Sequence, residues 1–171
     1  MSSPVPCLIG LGSNLMDSRK ILHSAANDLF HSDRIEGIRM SSLWETDPVG
    51  GPEGQPRFLN AAALLKTDLD PFELLDLLHR LENRRHRTRS VHWGPRTLDL
   101  DLLIHGDQIV RTDSLIVPHP RLYWRSFALL PAAEIAPEMI IPTTGLSVQN
   151  TLRLLFWNTD LAVRTILLSD F

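Results

Sequence analysis

Two aspartates one residue apart, in Arg96-Thr97-Leu98-Asp99-Leu100-Asp101-Leu102-Leu103-Ile104, are the strongest chemical signal in this chain. An extended backbone sends alternate side chains to opposite faces, so Asp99 and Asp101 share one face while Leu98, Leu100 and Leu102 take the other. Two like charges on a half-buried strand repel, and they are costly to desolvate unless positive charge lies between them. That charge could come from neighbouring arginines in a structural network. A metal is the simpler solution: oxygen-only ligands, and only two of them, suit Mg²⁺, which keeps waters and completes its shell from substrate phosphates. The two carboxylates can converge on one cation or on a pair.

Positive charge is concentrated just upstream. Arginines stand at positions 80, 84, 85, 87, 89 and 96, and Glu82 is the only acidic residue among them. Trp93-Gly94-Pro95-Arg96 reads as a rigid turn that delivers an arginine beside the carboxylates. Arginine and Mg²⁺ around a phosphate chain form the apparatus of phosphoryl transfer, in which catalysis is chiefly positioning and charge stabilisation. The sequence contains no G-x-x-x-x-G-K-[ST] stretch, and Gly10-Leu11-Gly12-Ser13-Asn14-Leu15 lacks the third glycine of a dinucleotide loop. A nucleotide would therefore be gripped by side chains. No Ser, Cys or Thr stands next to an obvious base, so covalent catalysis is not indicated.

The elements that must position these residues follow from periodicity. Cys7-Leu8-Ile9 reads as a short buried strand running into a glycine turn at Gly10-Leu11-Gly12, with Ser13-Asn14 capping the helix that follows. Ile21, Leu22, Ala25, Ala26 and Leu29 predict an amphipathic helix within 17–30. One strand is expected over 35–44 and another over 58–66, separated by a loop rich in proline and glycine. Asp70-Pro71-Phe72-Glu73 is a helix start with Asp as N-cap, Pro at the first helical position and Glu three residues after the cap. Leucines carry that helix to about Asn83, and 97–104 reads as a central strand. The order β-α-β-β-α-β predicts an α+β fold, a ferredoxin-like sandwich, with additional C-terminal elements: helices near 127–134 and 148–156 and a strand within 162–168.

A length of 171 residues fits one domain, and 43% apolar with 22% charged residues fits an ordinary globular chain. Cys7 is the only cysteine, which excludes an intrachain disulfide. No run approaches the ~18 apolar residues of a membrane span, so a cytoplasmic location is expected. The net charge of -3 argues against nucleic acid as the main partner.

The run from His92 through Leu103 closely resembles the hallmark of the 6-hydroxymethyl-7,8-dihydropterin pyrophosphokinases. It is joined in order by residues 9–15, by Gln55-Pro56-Arg57-Phe58-Leu59-Asn60-Ala61, by Val117-Pro118-His119-Pro120-Arg121 and by residues 131–138. The resemblance implies ferredoxin-like architecture and transfer of pyrophosphate from ATP to the dihydropterin, with AMP as the other product. It further implies that Asp99 and Asp101 bind Mg²⁺, in all two ions, and that Arg87 and Arg96 join them in catalysis. Glu82, Arg87, Arg89, His92, Trp93, Arg96, Leu102, His119 and Arg125 are the implied ATP contacts. Thr46, Val49, Phe58, Asn60 and Phe127 are the implied pterin contacts, the two phenylalanines enclosing the ring and the Asn60 amide reading its edge. The expected species is a monomer or weak homodimer. The chain departs from the family pattern at Met16, Trp44, Asp47, His92 and Tyr123-Trp124, none of which touches the acidic pair.

Two other readings compete. A metal-dependent phosphohydrolase would use the same carboxylates and release free phosphate. An RNA-binding domain would use the same sheet and basic loop, but the strand around Asp99 presents acid where stacked aromatics would be needed.

Overall fold

The computed structural model describes residues 3–48, 53–85, 96–158 and 166–168. Its main sheet is antiparallel throughout and is built on β1 (Val5–Ser13), which lies between β4 (Phe58–Thr67) and β5 (Asp99–His105). The far edge of β4 takes two short strands in succession, β2 (Ile35–Met40) and β3 (Leu43–Thr46). The single strand expected over 35–44 is thus broken at Ser41-Ser42. There Ser41 Oγ accepts from the Ala62 N–H, and Glu134 accepts from the Ser42 N–H and hydroxyl, so side chains replace the lost ladder bonds. Two-residue ribbons, β6 (Val110–Arg111) with β7 (Ile116–Val117) and β8 (Ile140–Ile141) with β9 (Leu146–Ser147), lie outside the main sheet. The C-terminal strand, β10 (Ile166–Leu168), pairs with β3.

Helix α1 (Ser18–Phe30) buries Leu22, Ala25, Ala26 and Leu29, as its periodicity predicts. Its N-cap is Asp17, whose side chain accepts from Lys20 N, and not Ser13-Asn14. Helix α2 (Pro71–Asn83) has the predicted capping box: Asp70 accepts from the Phe72 and Glu73 N–H groups while Glu73 accepts from Asp70 N. Both helices cover one face of the sheet, packing on Cys7, Ile9, Leu11, Leu98, Leu100 and Leu102. Helices α3 (Ser126–Ile135) and α4 (Val148–Asn158) form a second core on the other face with Leu8, Ala62, Leu103 and Ile104.

Two expectations about strands are corrected. β1 runs straight through Gly10 and Gly12, so the predicted glycine turn is strand interior. β5 is an edge strand, not a central one. Its apolar character arises because both faces are covered, and its open edge is bonded by other groups: Glu82 Oε1 accepts from Leu100 N at 2.7 Å, and Leu103 O accepts from His119 N at 2.9 Å. The β1–β5 register shifts between Leu8 and Ile9, leaving Leu103 as an extra residue in β5. Upstream of it the odd-numbered residues look away from α1 and α2, whereas downstream His105 turns back toward them and meets Leu69 O at 2.9 Å.

Candidate active site

The face of the sheet that carries Asp99 and Asp101 also carries both β1 glycines. Gly12 pairs with Asp99 on one side and Asn60 on the other, and Gly10 pairs with Asp101 and Ala62. Directly paired residues point the same way, so Asp99, Gly12 and Asn60 form a row across three strands. Because the middle member has no side chain, a cavity of about 670 Å³ opens over it. A β-carbon built on Gly12 would lie 3.2 Å from Asn60 Oδ1, at the floor of that cavity. Gly12 has no positive backbone angle that would call for glycine; a β-carbon there would crowd the Asn60 amide and fill the floor of the cavity.

One end of the cavity is flat and weakly polar. Asn60, 5% exposed, donates from Nδ2 to Thr46 Oγ1 at 2.8 Å, which fixes the amide and leaves Oδ1 toward the space above Gly12. Phe58 and Phe127 line the same end, Phe58 from β4 and Phe127 from the first turn of α3. A rigid amide edge between aromatic rings can hold a planar heterocycle by stacking and paired hydrogen bonds.

The other end is charged. Arg96 Nη1 is ion-paired with Asp99 Oδ2, and Arg125 Nη1 lies 3.0 Å from Asp101 Oδ2. The Arg125 guanidinium also sits 5.4 Å from the centre of the Phe127 ring, which ties the two ends together. Burial, and then the neighbouring Asp99 charge, push the Asp101 carboxyl above the ordinary carboxylate range; His119, Arg125 and Arg96 oppose this without cancelling it. His119 is held below the usual imidazole range by burial. Its Nδ1 accepts from Arg121 N at 3.1 Å, so the neutral ring carries its proton on Nε2, 3.9 Å from Asp101 Oδ1.

A second, smaller cavity of about 290 Å³ lies on the other side of the acidic pair, lined by Asp99, Asp101, Leu102 and His119 together with His79 and Ile116. The carboxylates therefore stand between two spaces. Among the described residues no three His, Cys, Asp or Glu side chains converge on a metal position. Asp99 and Asp101 alone would supply protein oxygens, and that is the donor set of an ion whose remaining ligands are water and phosphate.

The structure brings Thr46, Phe58, Asn60, Arg96, Asp99, Asp101, Arg125 and Phe127 to the larger cavity, and Leu102 and His119 to the smaller. Glu82 lines neither. It is 2% exposed, and it tethers β5 at Leu100, the residue between the two aspartates. Val49, Arg87, Arg89, His92 and Trp93 lie outside the described residues. Cys7 is interior, its thiol pushed up to about 12 by burial, and is no nucleophile at neutral pH.

Three contributors escape the sequence reading. Asn14 accepts from Arg96 N at 2.8 Å through Oδ1, donates from Nδ2 to Pro56 O at 3.1 Å, and donates from its own N–H to Arg96 O. It thus joins the end of β1 to the arginine beside Asp99 and to the segment leading into Phe58. Arg57 pins the two ends of the β3–β4 loop by pairing with Glu45 at 2.7 Å and Asp47 at 2.8 Å. The two β1 glycines are the third. Asn14→Ala is expected to cost roughly 2 kcal/mol of stability, for two partly buried hydrogen bonds, and to lower kcat several-fold because Arg96 loses one of its two anchors to Asn14. Urea unfolding and steady-state kinetics on the one variant check both parts.

A family model described as 7,8-dihydro-6-hydroxymethylpterin-pyrophosphokinase matches residues 8–137. A 2-amino-4-hydroxy-6-hydroxymethyldihydropteridine pyrophosphokinase of Bacillus subtilis is 48% identical over 131 residues, covering 77% of this chain and 78% of its own. Proteins of the same name from Haemophilus influenzae and Pseudomonas aeruginosa are 37% and 40% identical, covering 82% and 78% of this chain and 87% and 82% of theirs. Among solved structures, Plasmodium falciparum HPPK-DHPS superposes with a TM-score of 0.67 at 13% identity. That match covers 90% of this chain but only 45% of the Plasmodium chain, and it supports likeness of fold alone.

Proposed function

Because the chain belongs to the 7,8-dihydro-6-hydroxymethylpterin-pyrophosphokinase family, we infer that its two cavities hold the two substrates of that reaction, with Asp99 and Asp101 between them. The enzyme is an ATP-dependent diphosphotransferase of folate biosynthesis: it moves the pyrophosphoryl group of ATP onto 6-hydroxymethyl-7,8-dihydropterin. The observation that carries the placement is the row Asp99–Gly12–Asn60, which puts a heterocycle-reading amide and a phosphate-facing carboxylate on one floor.

In this reading the pterin ring lies between Phe58 and Phe127, with its edge on Asn60 and on the backbone near Thr46 and Val49. Its hydroxymethyl group then points along the row toward Asp99. ATP enters from the smaller cavity past Leu102 and His119, so that its phosphates reach the acidic pair. The hydroxymethyl oxygen attacks the β-phosphorus, AMP leaves, and no covalent enzyme intermediate forms. Mg²⁺ held by Asp99 and Asp101, as two ions, would supply charge neutralisation along the phosphates when bound. Arg96 and Arg125, released from their carboxylate pairs as phosphate arrives, turn their guanidinium donors to the migrating group. Arg87, Arg89, His92 and Trp93 are assigned by resemblance to the nucleotide. Glu82, assigned to the nucleotide by the same resemblance, also holds β5 in place through Leu100 N.

The sheet order β5, β1, β4 and then β2 with β3, with α1 and α2 on one face, supports a ferredoxin-like core. We read the elements as one domain extended by its C-terminal helices. Incubation with ATP, Mg²⁺ and the dihydropterin tests the function: AMP and a pyrophosphorylated pterin in equal amounts are expected. Release of inorganic phosphate or pyrophosphate, with the pterin unchanged, would overturn it in favour of a phosphohydrolase.

A further inference from the structure

Trp124 is 76% exposed, yet it lines the larger cavity. An indole left largely in water forgoes burial of one of the largest apolar surfaces a side chain can offer, so such a position calls for a reason. The local structure holds it there. Trp124 ends a single 3₁₀ turn, 122–124, whose first residue, Leu122, is fully buried in the core of α3 and α4. Its own N–H is fixed to Arg121 O at 3.2 Å, and the next residue, Arg125, is engaged with Asp101 and Phe127. The backbone on both sides is thus tied to the core and to the site, and the ring is left at the cavity mouth. Its indole N–H has no hydrogen-bond partner among the described residues.

The two cavities differ in this respect. Trp124 borders the larger space, which holds Asn60, Phe58 and Phe127 as well as Arg96, Asp99, Asp101 and Arg125, and it has no part in the lining of the space around His119 and Ile116. We propose that Trp124 is a specificity-determining residue of the acceptor site, a third aromatic wall that covers the dihydropterin once it lies between Phe58 and Phe127, and that it takes no part in holding ATP. The proposal rests on the acceptor placement given above. On binding, the indole loses water from one face and gains contact with a flat heterocycle, and such contacts change affinity by about tenfold.

The test uses the full chain with Trp124→Ala and Trp124→Phe. Because the side chain is exposed, both variants should melt within a few degrees of the parent chain, which thermal unfolding verifies. Steady-state kinetics then give KM for each substrate, and calorimetry gives the Kd of the pterin in the presence of Mg²⁺ and a non-hydrolysable ATP analogue. The expected result for Trp124→Ala is a rise of about tenfold in KM and Kd for the pterin, with KM for ATP changed less than twofold and kcat nearly kept. Trp124→Phe should recover most of the loss. Unchanged pterin affinity in Trp124→Ala would overturn the proposal, and so would parallel losses for pterin and ATP. If the parent chain makes AMP and pyrophosphorylated pterin while either of those results is found, only the role of Trp124 falls. A parent chain that binds no pterin would overturn the acceptor placement and this proposal with it.

Discussion

Asp101→Asn is expected to lower kcat by on the order of 1,000-fold while raising the melting temperature of the substrate-free chain. The first half follows from the position of Asp101 between the two cavities, where its charge would hold a divalent ion against the phosphates. The second half follows from its proton equilibrium. Burial and the Asp99 charge raise the Asp101 carboxyl above its ordinary value, so the folded chain binds that proton more tightly than the unfolded chain does. Stability therefore falls as pH rises from the ordinary carboxylate value of 3.8 through the raised one, and above that window the cost of the partly buried charge is present in full. An uncharged isostere removes the cost. Activity assays and thermal scans at pH 8, on parent and variant, measure both effects; a variant that melts lower than the parent would show that the Arg125 pair outweighs the desolvation. Chelation provides a companion experiment. Arg96 and Arg125 already supply counter-charge to the two aspartates, so excess EDTA should abolish turnover and leave the melting temperature of the free chain where it was.

The second large effect is expected at Asn60. Its amide is buried, fixed by Thr46, and directed across Gly12, so Asn60→Ala removes the polar edge that the pterin would meet. Leaving a ligand's hydrogen-bonding groups unpaired costs about 1–3 kcal/mol each, so two such groups give roughly a 100-fold weaker pterin complex. ATP affinity should stay within a factor of about three, because the nucleotide cavity shares no wall with Asn60. Titration of each ligand separately decides the matter. Equal losses for both ligands would mean that Asn60 supports the sheet and does not read the acceptor.

Much of this site is legible in the sequence because it depends on local rules. The period of two that pairs Asp99 with Asp101 needs no tertiary information, nor does the capping box that starts α2 at Asp70. What the sequence does not reveal depends on partners distant in the chain. Gly10 and Gly12 look like a turn because glycine ends regular structure more often than it makes room for a ligand; only the pairing with Asp99, Asp101 and Asn60 shows the second use. The all-apolar run 102–104 looks like a central strand because periodicity reports coverage of faces and says nothing about edges. Ser41-Ser42 interrupts a pattern that otherwise alternates well, and its compensation comes from Glu134 in a helix far along the chain. Asn14 reads as a cap for the nearest helix, as such residues often are, but its side-chain partners are 82 and 42 residues away.

The supernumerary Leu103 has a job outside the sheet. Ile9 faces Leu102 and Leu8 faces Ile104, so excising Leu103 would leave every cross-strand partner of β5 unchanged. What would vanish is a fully buried core side chain and the carbonyl that receives His119 N, and with that carbonyl the stitch fastening the Val117–Arg125 segment to the acidic strand. Architecture and chemistry therefore meet in one residue: the Leu103 side chain fills the core beneath α3 and α4, while its carbonyl keeps the two substrate compartments in alignment.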